Sequence, residues 1–243
     1  MAISRRQLLA TAAYFAAGTV AARAKVIAGG LPWHPDAGAP PKPVRPGPWQ
    51  YFTADEARAV EALSDRIIPP DSKTPGGKDA GCAVWLDRQL AGPYGRSEGD
   101  YDKGPFMPGL PTQGPQSKNG PAQQYRDWLA ALDTYSLAHH GSKHFAELSD
   151  ADKDALLHAL EDGKAKLEGA DGKKFMKHLV EDMQMGFFAD PIYGGNRDMA
   201  AWKMIGFPGT RYNYLDWIDR HNERFPLPPV SLEGRAEWTV KQG

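Results

Sequence analysis

A chain of 243 residues is long enough for one domain with a sizeable core. The formal net charge of −1 gives no reason to expect a nucleic-acid partner, and the 41% hydrophobic content is ordinary for a soluble globular protein. The sequence contains a single cysteine, Cys82. That count excludes an intrachain disulfide, a four-cysteine iron–sulfur cluster and a Cys-x-x-Cys-His haem attachment site, so another chain would have to carry such a redox centre.

The N-terminus has the order of a bacterial export signal: a basic start, an apolar run and a small-residue end. The apolar run is short for a membrane span, which needs about twenty residues. The start is close to the twin-arginine pattern, with Leu8 where that pattern has Phe. A chance arginine pair before an N-terminal helix is the alternative. We expect a twin-arginine signal over residues 1–24, defined by Ser4, Arg5, Arg6, Leu8, Leu9, Ala22 and Ala24.

Residues 25–51 are predicted to form an extended arm, because Gly and Pro recur from 29 to 48. Such an arm is either an idle linker or lies along a partner, and the sequence leaves both readings open. The folded domain is expected at residues 52–225, and a second arm at 226–243.

The folded domain is predicted to be all-α, with long Pro/Gly-rich loops. Thr53 and Glu56 form a capping box, and Pro69 stops the helix that follows. Apolar residues at helical spacing, together with capping residues, predict further helices near 79–90, 121–140, 149–163, 173–187 and 198–205, and a turn or two at 214–220. Alternating β-branched runs are nearly absent.

Residues 91–120 show no period, and Gly and Pro recur throughout. A loop of this length inside a compact domain is usually functional or bound to a partner. Its aromatic residues Tyr94, Tyr101 and Phe106 argue against a flexible spacer, since disordered linkers contain few.

The segment from 187 to 209 has the pattern of a shaped turn followed by a short helix. Asp190-Pro191 favours a turn, and Gly194-Gly195 permits backbone angles that other residues avoid. We expect Asn196 to cap the next helix, Trp202 to be a buried anchor, and Gly206 and Pro208 to end that helix. Nothing in the pattern requires catalysis.

As a whole string, the segment resembles the gluconate 2-dehydrogenase subunit 3 family, and the resemblance extends from Phe52 to Trp217. The residues expected to form the family motif, or a partner interface, are Phe188, Asp190, Pro191, Tyr193, Gly194, Gly195, Asn196, Trp202 and Gly206.

The resemblance implies a non-catalytic small subunit of a heteromeric dehydrogenase. In such complexes an FAD-containing large subunit of the glucose–methanol–choline type oxidises a sugar, polyol or sugar acid. A multihaem cytochrome c subunit passes the electrons to membrane quinone. The small subunit lends its signal to the large subunit and stabilises it. The implied location is the periplasm, reached through the twin-arginine translocase, with FAD and haem c in the partner chains and no catalytic, cofactor or metal site in this one.

Two other functions remain open. One is an autonomous metalloenzyme using helix-borne His and acidic residues, although their order differs from the di-iron Glu-x-x-His pattern. The candidate groups are His158 with Glu161, His178 with Glu181 and Asp182, and His139 and His140 near His144. The other is a carbohydrate-binding module that uses Trp and Tyr. The sequence has no Gly-x-Gly-x-x-Gly, His-Glu-x-x-His or Gly-x-Ser-x-Gly signature.

Cys82 has two readings: a buried free thiol in a helix, or an intersubunit disulfide in an oxidising compartment. The large apolar residues near 183–188 are expected to fall into two groups, core and interface. Those on the helical stripe are expected in the core, and those off it, such as Phe188, are expected at an interface.

Overall fold

The computed structural model describes residues 42–100, 104–107, 109–110, 112–113, 117–211 and 213–234. Over these ranges the chain has six α-helices and no β-strands, which confirms the predicted all-α class. The helices are α1 (Ala54–Ile67), α2 (Cys82–Ala91), α3 (Pro121–His139), α4 (Asp150–Glu161), α5 (Gly172–Phe188) and α6 (Ala200–Ile205). None of them is both long and apolar enough to cross a membrane. The predicted signal at 1–24, most of the 25–51 arm and residues 235–243 lie outside the described residues.

Helix α5 lies at the centre of the core and packs against α1, α2, α3 and α4. It begins after Asp171, whose side chain accepts the N–H of Lys174 at 3.0 Å. The sequence predicts a stripe of Met176, Leu179, Val180, Met183 and Phe187, and all of these are buried except Val180, which is half-buried. Phe175, which the stripe did not include, is buried as well.

Helix α1 begins with the predicted capping box. The Thr53 hydroxyl accepts the N–H of Glu56 at 3.3 Å, and the Glu56 carboxylate accepts the N–H of Thr53 at 2.8 Å. Phe52 is buried just before the helix and packs edge to face on Tyr51 and Trp49. The helix ends at Ile67, before the proline pair, as predicted.

Two helices begin later than predicted, and positive φ angles explain both differences. Helix α2 was expected from residue 79, but Gly81 has φ +87° and the helix begins after it. Helix α6 was expected from residue 198, but Asp198 and Met199 have φ values of 57° and 55°, and the chain forms a 3₁₀ turn there first. Left-handed residues cannot continue a right-handed helix, so each helix starts beyond them.

After Ala91, where α2 ends, the described part of the 91–120 loop contains turns and no helix. The loop is attached to the domain at Gly95, whose carbonyl accepts the N–H of Ala122 at 3.1 Å. The turn predicted near 214–220 is present as a 3₁₀ helix, Leu215–Trp217.

The described ends of both arms lie against the helical domain. The N–H of Val44 donates to the carbonyl of Ile192 at 2.7 Å, and Arg45 makes two 2.8 Å bonds to Glu233. Val230 and Ser231 of the C-terminal arm are buried. The described end of the N-terminal arm therefore binds the chain's own turn and its other arm, and a contact of the arm with a partner stays a prediction.

Candidate functional site

The turn that follows α5 connects the end of the helix to the C-terminal arm. One carboxylate oxygen of Asp190 accepts the N–H of Ile192 at 3.0 Å, which forms the predicted turn, Pro191–Tyr193. The other oxygen accepts the N–H of Leu232 at 2.8 Å. Burial raises the pKa of Asp190, and the two amide donors oppose that rise. The carboxylate therefore both shapes the turn and holds a segment more than forty residues away along the chain.

The two glycines after this turn are required for different reasons. Gly194 has φ +93°, and a Cβ there would lie 2.8 Å from a Val44 methyl carbon. At Gly195 a Cβ would lie only 2.1 Å from the backbone carbonyl oxygen of Gly186. The missing side chains let the turn approach both the N-terminal arm and α5.

Asn196 and Trp202 fix α6 onto the end of α5. The fully buried Asn196 side chain donates to the carbonyl of Ala189 at 2.9 Å and accepts the N–H of Ala201 at 2.9 Å. Asn196 thus accepts an amide N–H in the first turn of α6, as a capping side chain does, although Met199 occupies the N-cap position of that helix. The indole N–H of Trp202 donates to the carbonyl of Phe188 at 2.9 Å. These bonds satisfy carbonyls at the C-terminal end of α5 that have no helical partner.

Residues 54–209, which contain all six helices, match the family model described as gluconate 2-dehydrogenase subunit 3. The chain belongs to this family. The match confirms the resemblance, and the family name describes a subunit of a dehydrogenase complex. The comparisons with curated proteins and with solved structures return no match.

The motif residues of this subunit 3 family member differ in exposure. Asp190, Asn196 and Trp202 are buried and have partners within the chain. Phe188 and Tyr193 are 41% and 42% exposed. Gly206, which ends α6 with φ +72°, is exposed as well. Pro191 and Gly194 are half-buried, and Gly195 is buried. The exposed residues can reach a partner without rearrangement, and their interface role stays a prediction.

A buried carboxylate that the sequence had not singled out holds the start of the domain. Asp87 on α2 is fully buried and accepts the backbone N–H groups of Gln50, Tyr51 and Phe52 at 2.9–3.0 Å. Arg88 pairs with the same carboxylate and also donates to the carbonyl of Pro48 at 3.2 Å. Asp87 therefore joins α2 to the segment that leads into α1.

A second buried carboxylate, Asp182 on α5, has a different environment from the one predicted. It is 1% exposed and accepts the Tyr125 hydroxyl at 2.6 Å and the Tyr94 hydroxyl at 3.1 Å. His178, its predicted neighbour in a metal site, instead packs on Trp128 with ring centroids 5.4 Å apart. The position of Asp182 between the core residues of α5 was the available signal, since it falls on the buried face of the helix.

Burial raises the pKa of Asp182 to about 6. The hydrogen bonds from the two tyrosines lower it only in part, and burial also raises the pKa of each tyrosine. Tyr94 belongs to the 91–120 loop and Tyr125 to α3, so one carboxyl group links the loop, α3 and α5.

We expect the stability of the domain to fall as the pH rises through this pKa. The folded state holds the Asp182 proton more tightly than the unfolded chain, where the pKa is close to 3.8. Protonation of Asp182 therefore contributes about 2–3 kcal/mol to the free energy of unfolding. This contribution is complete below about pH 4 and is lost a little above pH 6. Urea unfolding from pH 4 to pH 7 measures it, with Asp182→Asn as the non-titrating control. Parallel pH profiles for the two proteins would contradict this assignment.

The other candidate groups are surface pairs. His158 and Glu161 lie 3.7 Å apart with both side chains exposed, and His144 lies 2.9 Å from Asp133. His139 stacks on Tyr135 at the end of α3. Within the part of the chain that the structure describes, no group of three or more His, Cys, Asp or Glu residues could hold a metal ion.

Cys82 is fully buried at the start of α2, with its sulfur 3.7 Å from the carbonyl oxygen of Met183. Burial raises the pKa of its thiol to about 12. A thiol of another chain could reach it only after this packing opened. The described structure has the buried free thiol, and the intersubunit disulfide stays an untested prediction.

Proposed function

We propose that this chain is the non-catalytic small subunit of a periplasmic, membrane-associated dehydrogenase that oxidises a sugar, polyol or sugar acid. In this proposal FAD is bound by the large subunit of the glucose–methanol–choline type, and haem c by a cytochrome subunit that passes electrons to the membrane. The observation that carries the proposal is the family match over residues 54–209, which spans every described helix.

The work of the chain in this complex is contact and export. The large subunit receives FAD in the cytoplasm and folds there, and it crosses the membrane with the small subunit that carries the twin-arginine signal. This role needs the signal-bearing arm to be tied to the folded domain. The hydrogen bond from Val44 to Ile192 and the amide donors that converge on Asp87 supply such a connection.

Substitution of both signal arginines tests the export role. Arg5→Lys with Arg6→Lys, in the full chain co-expressed with its large subunit, should leave the large subunit in the cytoplasm. The conservative exchange retains the charge and removes only the guanidinium pair that defines the signal. Arg23→Lys, outside the pair, is the matched control and should export normally. Cell fractionation with flavin measurement is the readout, and a periplasmic large subunit in the double variant would refute the role.

A further inference from the structure

Large apolar side chains are exposed mainly in one stretch of the chain. Among the described residues, the large hydrophobic side chains that are exposed all lie between 185 and 227, apart from Met107 and Leu110. Six of them follow one another from the end of α6 into the next loop, at 42–72% exposure: Met204, Ile205, Phe207, Leu215, Ile218 and Leu227. Exposed apolar groups gathered in this way mark interaction surfaces.

Four of these side chains border two adjoining hollows. The first has a volume of about 600 Å³, and Ile205 and Ile218 line it together with Trp217 and Phe225. The second, of about 490 Å³, is lined by Phe207 and Leu227. Phe225 and Arg224 belong to both hollows, so the two form one continuous surface. We call this surface the docking face, defined by Ile205, Phe207, Ile218 and Leu227.

The chain's own contacts hold the docking face in shape. The loop closes where the N–H of Thr210 donates to the carbonyl of Val230 at 2.7 Å. Trp217 and Phe225 pack with ring centroids 5.0 Å apart, and Arg220 lies over the Trp217 ring at 4.6 Å. A surface ordered before binding loses less conformational entropy when a partner arrives.

The exposed area matches one side of a standard protein–protein interface. Side chains of this size present roughly 200 Å² each when free, so the four of the docking face, which are about half exposed, leave on the order of 400 Å² of apolar surface. A standard interface buries roughly 800 Å² per partner, of which a little over half is apolar. The docking face therefore supplies nearly all of the apolar area that one side of such an interface needs.

The charges around the hollows favour a partner other than a second copy of this chain. Lys203, Arg220 and Arg224 line them, against one acidic residue, Glu223. A two-fold dimer through this surface would bring the same patch, and therefore like charges, together. An acidic border on the partner would be complementary instead.

We propose that the docking face receives an apolar segment, bordered by acidic side chains, of the large catalytic subunit. This inference rests on the proposed function, because it assigns a surface to the contact on which that function depends.

The test compares aspartate substitutions at exposed apolar positions. Ile218→Asp in the full chain should weaken the affinity for the purified large subunit at least tenfold, since it places a carboxylate within an apolar contact. Leu110→Asp is the matched control, because Leu110 is 67% exposed and Ile218 is 60% exposed, and it should bind within about twofold of the wild type. Circular dichroism and the melting temperature check that each variant is folded. Leu227→Asp, at the other hollow, replaces Ile218→Asp if the latter does not fold.

The outcomes separate the inference from the proposed function. If Ile218→Asp, Leu227→Asp and Leu110→Asp all bind the large subunit with the wild-type affinity, the docking face is overturned and the accessory role stays intact. If the wild-type chain does not bind the large subunit, both the docking face and the proposed function are refuted. A self-associating wild type that Ile218→Asp converts to a monomer would identify a second copy as the occupant and overturn the inference. Arg224→Glu should slow association and reduce its dependence on salt if the partner surface is acidic.

Discussion

Replacing Asp87 with alanine should lower the free energy of unfolding by about 3–5 kcal/mol. The carboxylate is fully buried and accepts three backbone N–H groups, from Gln50, Tyr51 and Phe52, in addition to pairing with Arg88. Without it the buried Phe52 N–H loses its acceptor, and so do the partly buried N–H groups of Gln50 and Tyr51. Hydrogen bonds to a charged group are the stronger kind, so the loss exceeds that of an ordinary surface contact.

Urea unfolding of the purified chain measures this effect, and the domain offers a matched control. Asp150 pairs with Arg66 at 2.9 Å, but its side chain is 69% exposed. Asp150→Ala should therefore cost no more than about 1 kcal/mol. Asp87→Asn retains one acceptor oxygen and should fall between the two. If Asp87→Ala and Asp150→Ala lower the free energy of unfolding equally, the amide bonds to Asp87 do not stabilise the domain more than a surface ion pair does.

The loss of Asp87 should also change how the N-terminal arm is held. The amides that it binds belong to the segment between the N-terminal arm and α1, so Asp87→Ala should loosen the connection between the arm and the domain. In Asp87→Ala, hydrogen exchange at Tyr51 and Phe52 should become faster than in the wild type, while exchange in the centre of α5 changes less. If exchange at Tyr51 and Phe52 stays at the wild-type rate in Asp87→Ala, other contacts hold the arm to the domain.

Replacing Gly195 with alanine should destabilise the domain by about 3 kcal/mol, at the upper end of the usual cost of overpacking. The new Cβ would lie 2.1 Å from the carbonyl oxygen of Gly186 and 3.3 Å from Trp85. The first of these neighbours is backbone of the central helix, which cannot turn away as a side chain can. Relief requires the Asp190 turn to move away from α5, which would weaken the Asn196 and Trp202 bonds that hold α6.

Thermal unfolding measures this second effect, with Gly99→Ala as the control. A Cβ at Gly99 would have no neighbour within 4 Å, so that variant should stay within about 0.5 kcal/mol of the wild type. The pair isolates the close approach from the general effect of adding a methyl group to glycine. A Gly195→Ala protein as stable as the control would mean that the turn does not need its contact with α5.

Most helices could be predicted because their signals are local. The capping pair Thr53 and Glu56, the proline that opens α3 and the apolar stripe of α5 all lie within a few residues of the structure they specify. The turn at Asp190 was predictable for the same reason, since its own side chain bonds an amide two residues further on. Where a helix start was misplaced, the cause was a left-handed residue whose φ depends on surrounding contacts, as at Met199.

The amino-acid order alone was enough to specify the all-α class, the turn after α5 and the family. The tertiary structure decided which distant groups meet: Asp182 with Tyr125 across 57 residues, Asp87 with Tyr51 across 36, and Arg45 with Glu233 across 188. It also decided which apolar residues after α6 stay exposed. The physical reason is that a helical period indicates which face of a helix is buried, whereas the partner of a buried polar group depends on how all the helices pack together.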